Sequence, residues 1–71
     1  MEIDNNQDKD VFYTTVGKNI RTYREMQGRS LEEVAKIIGE TKKTVQRYEV
    51  GEVKFTMPTL HNIARALGIK T

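Results

Sequence analysis

The chain has 71 residues, no cysteine and a formal net charge of +2. That length allows one small domain, which buries only about 60% of the surface its unfolded chain exposes. Disulfides and thiolate metal sites are excluded, and no apolar run approaches the roughly 20 residues that cross a bilayer. The start "MEIDNNQDKD" is polar and acidic, the opposite of a secretory or transit peptide. The expectation is a soluble, cytoplasmic protein with no membrane role.

The charge is unevenly spread: residues 1–10 carry −3 and residues 11–71 carry +5. An acidic tail ahead of a basic domain occurs in nucleic-acid binders, although many ordinary small domains share it. Residues 1–10 lack periodicity and read as a disordered acidic tail, with the folded domain spanning residues 11–71.

From Val11 the pattern turns helical. Val16, Ile20 and Tyr23 recur at helical spacing and predict a first helix from about Thr15 to Gln27, with Gly28 at its C′ position. "SLEE" opens a second. Ser30 as N-cap with Glu33 three residues on is a capping box; Leu31, Val34, Ala35 and Ile38 form one apolar face, and Gly39 ends the helix. Thr41 starts a third helix with Val45 and Tyr48 inward, and Gly51 closes it. "EVKF" is a loop. Thr56 caps a fourth helix, with Pro58 in the first turn, where a missing N–H does no harm. Leu60, Ile63, Ala64 and Leu67 face inward there, and Gly68 terminates it. The one β-prone run, "VFYTTV", has no partner, and there is no internal repeat. The class is all-α, with four short helices.

Only about three residues, "GET", separate the second and third helices. That is the layout of a helix-turn-helix, two helices at a steep angle joined by a tight turn containing glycine. Ala35 is small enough for close approach, and Val45 and Ile38 can meet beneath the crossing. The third helix then breaks a local rule. Its first turn holds Lys42 and Lys43, where the partial positive charge of a helix start makes a cation unfavourable by about 0.3–1 kcal/mol. It also has Thr44 at the place where the second helix has its capping Glu33. Such a breach without compensation is expected at a functional site. Lysines there become favourable once phosphates or guanine edges lie opposite, whereas a carboxylate would repel them. Positions 42, 43 and 46 or 47 turn away from the Val45/Tyr48 face. Lys can donate to guanine O6 and N7, and Arg can do so with a more selective bidentate fork.

At these residues the chain resembles the XRE/Cro family of helix-turn-helix regulators, which includes the lambda-type phage repressors. The stretch "VGKNIRTYREMQGRSLEEVAKIIGETKKTVQRYEVG" followed by "TMPTLHNIARALGI" carries the likeness, from Val16 to Ile69. The resemblance implies a compact bundle of four or five helices that binds a double-stranded DNA operator, usually palindromic, as a homodimer at least when on DNA, and represses or switches transcription. It makes Lys42 to Glu49 the recognition helix. Lys42, Lys43 and Arg47 match positions that face the major groove, and Gln46 joins them as a base-edge candidate. Thr41 and Thr44 match positions near base edges or flanking phosphates. Lys54, in the loop after Gly51, and Ser30 are further phosphate candidates. Arg24 and Glu49 match a structural ion pair between the first and third helices.

Two features depart from the family pattern. Leu31 stands where many relatives carry a phosphate-contacting Gln. The chain also stops at Thr71, near where a fifth helix would begin, which reads as a DNA-binding fragment of a longer repressor or an unusually short member. "SLEEVA" also occurs in protein-interaction modules of this fold. An antitoxin-like or scaffold domain using Phe12, Tyr13 and Phe55 to hold a partner is therefore the competing reading.

The other residues read more plainly. Arg21, Arg65 and Lys70 are expected at the surface, as are Lys18 and Lys36, with phosphate contact the lesser reading for those two. Tyr23 and Tyr48 are expected in or near the core, and Phe55, Met57 and Met26 as packing residues. Phe12 and Tyr13 either pack over the start of the first helix or form a small partner surface. His61 lies on the outer side of the fourth helix with no further metal ligands near it in sequence. No nucleophile–base set, paired carboxylates in a pocket, phosphate loop, cofactor motif or small-molecule site is present. An enzyme is not expected, and neither is a cofactor.

Overall fold

Four helices joined by short turns and one longer loop make up the described chain. The computed structural model describes residues 5–69, in which α1 (Asn5–Met26), α2 (Leu31–Ile38), α3 (Lys42–Glu49) and α4 (Met57–Ala66) follow one another with no strand among the described residues.

The first helix is longer than the expected Thr15–Gln27. It begins at Asn5, and no glycine or proline occurs between residues 5 and 16 to stop it. The boundary expected at residue 10 between a disordered tail and the domain therefore falls inside a helix. Residues 1–4 of that expected tail lie outside the described residues. The inward stripe of α1 runs through Tyr13, Val16, Gly17, Ile20 and Arg24. Arg24 takes the inward place on the last turn, so the neighbouring Tyr23 is rotated out and is 44% exposed rather than in the core. Met26 and Met57 are likewise exposed, not packed: one is the last residue of α1 and the other the first of α4, beyond the reach of either helix's inward face.

The helices start on side-chain caps. Ser30 Oγ accepts from Glu33 N at 3.1 Å, and Ser30 N donates to Glu33 Oε1 at 3.1 Å, which completes the capping box of α2. Thr41 and Thr56 cap α3 and α4 in one common way, each accepting from the backbone N–H three residues on and donating to the threonine hydroxyl there, Thr44 and Thr59.

Ile20, Val34, Ala35, Val45, Tyr48, Phe55, Ile63 and Leu67 form the buried core, with Tyr13, Val16, Leu31, Ile38, Val53, Leu60 and Ile69 packed against it. Two glycines set the spacing between α1 and the end of α3. A Cβ on Gly17 would collide with the carbonyl oxygen of Tyr48 and lie 2.6 Å from that of Glu49; one on Gly51 would lie 2.7 Å from Thr14 Cα. Gly51 also has φ +74°, a left-handed conformation that L side chains rarely adopt. Phe55 is buried between Tyr48 and Tyr13, edge-on to both, with ring centroids 5.7 Å and 4.9 Å apart. The Tyr13 hydroxyl reaches the Phe55 carbonyl at 3.4 Å. Of the three aromatics offered as a partner surface, only Phe12 is exposed.

Candidate nucleic-acid interface

Residues 39–41 join α2 to α3. Ala35 and Val45 are buried on the two helices, so the two backbones can pack closely. Because α3 turns Val45, Tyr48 and Glu49 inward, the 3.6-residue period sends Lys42, Gln46, Lys43 and Arg47, in that order, around its outer side. All four are exposed. Lys43, Gln46, Arg47, Val50 and Glu52 line one shallow depression at the C-terminal half of this face.

The two cations at the ends of the arc face carboxylates. Lys42 Nζ is 3.6 Å from Glu32 Oε1 on α2, and Arg47 Nε is 3.6 Å from Glu52 Oε2 just beyond α3. Glu32 supplies the negative charge that the first turn of α3 lacks in its own sequence, which partly offsets the unfavourable placement of Lys42. Both pairs are well exposed, so each is weak and sensitive to salt.

Glu49 is buried on the inward side of α3 and holds the helix to α1. Arg24 Nε donates to Glu49 Oε2 at 2.6 Å and Nη2 to Oε1 at 3.1 Å, while Nη1 donates to the Arg29 carbonyl at 2.9 Å. The pair is bidentate and charge-assisted. The hydrogen bond to Glu49 is the main reason the Arg24 guanidinium is held above its ordinary pKa; burial opposes it. Burial pushes the Tyr48 phenol up, and the charge of Glu40 adds to this.

The remaining candidates lie around α3. Thr41 donates its hydroxyl to Thr44 Oγ1 at 2.9 Å, so the Thr44 hydroxyl proton stays available to another acceptor. Lys54 is exposed between inward-facing Val53 and buried Phe55, which fixes the base of its side chain. Ser30 is separate from the arc, engaged in its own capping box beside Glu33. Glu32, Glu52 and Val50 were not identified by pattern. For Glu52 a signal existed, since a residue following a left-handed glycine folds back over the helix end.

A four-helix domain with a short turn between α2 and α3, and with the outer face of α3 rich in cations, defines the helix-turn-helix class. Residues 20–71 match the helix-turn-helix family. An HTH-type transcriptional regulatory protein of Pyrococcus abyssi is 43% identical over 47 residues, which is 65% of this chain and 15% of that protein. The chain thus spans about 15% of the length of that relative. The crystal structure of the restriction-modification controller protein C.AhdI from Aeromonas hydrophila superposes with a TM-score of 0.83 at 25% identity, covering 89% of this chain and 91% of that one. The chain belongs to the XRE-type helix-turn-helix family. Among the described residues no helix is long and apolar enough to cross a membrane.

Proposed function

We propose that this chain is a cytoplasmic, sequence-specific DNA-binding regulator, a repressor, that inserts α3 into the major groove of an operator. The observation that carries this reading is the exposed arc of Lys42, Lys43, Gln46 and Arg47 on the second helix of the motif. Lys42, Lys43, Gln46 and Arg47 read base edges, with Arg47 suited to a guanine O6/N7 pair and Gln46 to an adenine N6/N7 pair. Thr41, Thr44, Lys54 and Ser30 hold the flanking phosphates. Two copies bind half-sites roughly 34 Å apart as a homodimer on DNA. The competing reading, a protein-interaction module, loses support because Phe55 is in the core and Tyr13 is tied to it.

Selection of duplexes from a randomised library, followed by NMR titration with the selected site at about 50 mM salt, tests this. Shifts concentrated on residues 41–47 and Lys54, and a site made of two related half-sites, are expected. Failure to enrich any sequence, or shifts confined to residues 11–13, would overturn it.

A further inference from the structure

Glu52 is a carboxylate on the surface assigned to a polyanion. It lines the same depression as Lys43, Gln46 and Arg47, where it lowers attraction for phosphate. Its placement follows from the chain. Gly51 N donates to the Tyr48 carbonyl at 3.2 Å and Glu52 N to the Arg47 carbonyl at 3.0 Å. With the left-handed Gly51 just before Glu52, this is a Schellman ending, which sets the third residue past the helix over the third from its end. Glu52 is thus joined to Arg47 twice, by main chain and by the 3.6 Å contact between its Oε2 and Arg47 Nε.

Resting on the reading of α3 as the recognition helix, we propose that Glu52 is a positioning and specificity-determining residue that acts through Arg47. The carboxylate holds the Nε side of the guanidinium and leaves the Nη edge for a paired acceptor. An unaccompanied arginine gains from any phosphate along a duplex, since each neutralised phosphate releases counterions. With Glu52 beside it, the Arg47–Glu52 pair is close to neutral as a whole, and that non-specific gain falls. A guanine O6/N7 edge is an uncharged acceptor pair, so the carboxylate penalises it far less. Glu52 therefore lowers binding to wrong sequences more than to the right one, which is discrimination built by repulsion.

The test is Glu52→Gln, which keeps the size and an acceptor but removes the charge. Affinities are measured for a library-selected duplex and for a mixed-sequence duplex of equal length, over a salt series. The wild type, E52Q, R47A and the double variant are compared. E52Q is expected to tighten mixed-sequence binding by about threefold, the size an exposed ion pair supports. It should tighten the selected duplex less, so the ratio of the two affinities falls. The salt dependence on mixed sequence should steepen by about one in log–log slope. In the R47A background E52Q should leave the ratio unchanged. Equal changes on both duplexes, no change on either, or the same loss of ratio without Arg47 would each overturn the role of Glu52 while leaving the recognition helix intact. A wild type that binds neither duplex would remove both.

Discussion

Gly17 and Gly51 lie on opposite sides of one seam, the first opening α1 to the end of α3 and the second opening the end of α3 to α1. Each glycine removes a Cβ that would strike the backbone across the seam. In an isolated helix Gly17→Ala would be stabilising by about 0.5–1 kcal/mol. Here the collision is with main-chain atoms that cannot rotate away, so the sign reverses. Gly17→Ala is expected to lower unfolding free energy by about 1–3 kcal/mol, the range for overpacking. Gly51→Ala adds left-handed strain and should be worse. Urea unfolding followed by circular dichroism measures both, and a raised midpoint for the Gly17 variant would show that the helices are not held at this distance.

The ion pair between Arg24 and Glu49 is the second tie across that seam, with side-chain exposures of 13% and 4%. Removing one member leaves a desolvated charge, which destabilises by about 3–5 kcal/mol. That is a large share of what a domain of this size possesses. Arg24→Ala and Glu49→Ala should each be partly unfolded at 25 °C. The double variant should lose much less than the sum of the two, because neither charge is then stranded. Additive losses would mean that the two groups are not coupled in solution.

Alkaline pH should act through Tyr48. Its folded-state pKa is raised, so the folded form holds its proton more tightly than the unfolded chain. The sign follows from linkage: this contribution is complete below the unfolded value of about 10 and is lost as pH rises through the higher folded value. Arg24 is also raised and has the same sign, but its loss falls at still higher pH. Tyr48→Phe should therefore lose less stability than the wild type between about pH 9 and pH 11. Parallel curves for the two proteins would remove Tyr48 as the cause.

The parts of this fold that could be read from residues alone are those whose ends carry their own chemistry. Ser30 with Glu33 and Gly39 bracket α2, and Thr41 with Gly51 brackets α3, so both were placed without any tertiary information. The start of α1 was not legible, because residues 5–10 contain no apolar side chain to mark a helix face. Tyr23 lies outside the core for a different reason. Hydrophobic spacing expects an apolar residue on the inward face, and Arg24 holds that place only because Glu49 arrives from another helix to neutralise it. In the same way the cations of α3 could be identified from spacing, but Glu32 opposite Lys42 depends on the angle between α2 and α3. That angle is set by the packing of Ala35 and Val45 and by the turn, and no pattern in one helix encodes it.

The division of labour proposed for the interface separates two kinds of cation by their response to sequence and salt. Arg47 lies on the arc with Lys43 and Gln46, so Arg47→Ala should weaken the selected duplex by about 1–3 kcal/mol and relax preference at one base pair. Lys54 projects from a loop anchored by Val53 and Phe55, off the helix, where a backbone phosphate is the reachable acceptor. Lys54→Ala should weaken selected and mixed-sequence duplexes by one common factor and reduce the salt slope by about one. The discriminating measurement is the affinity ratio, since overall weakening is expected of both variants. If Lys54→Ala lowers the ratio and Arg47→Ala does not, base reading belongs to the loop and the assignment of α3 as the reading element fails.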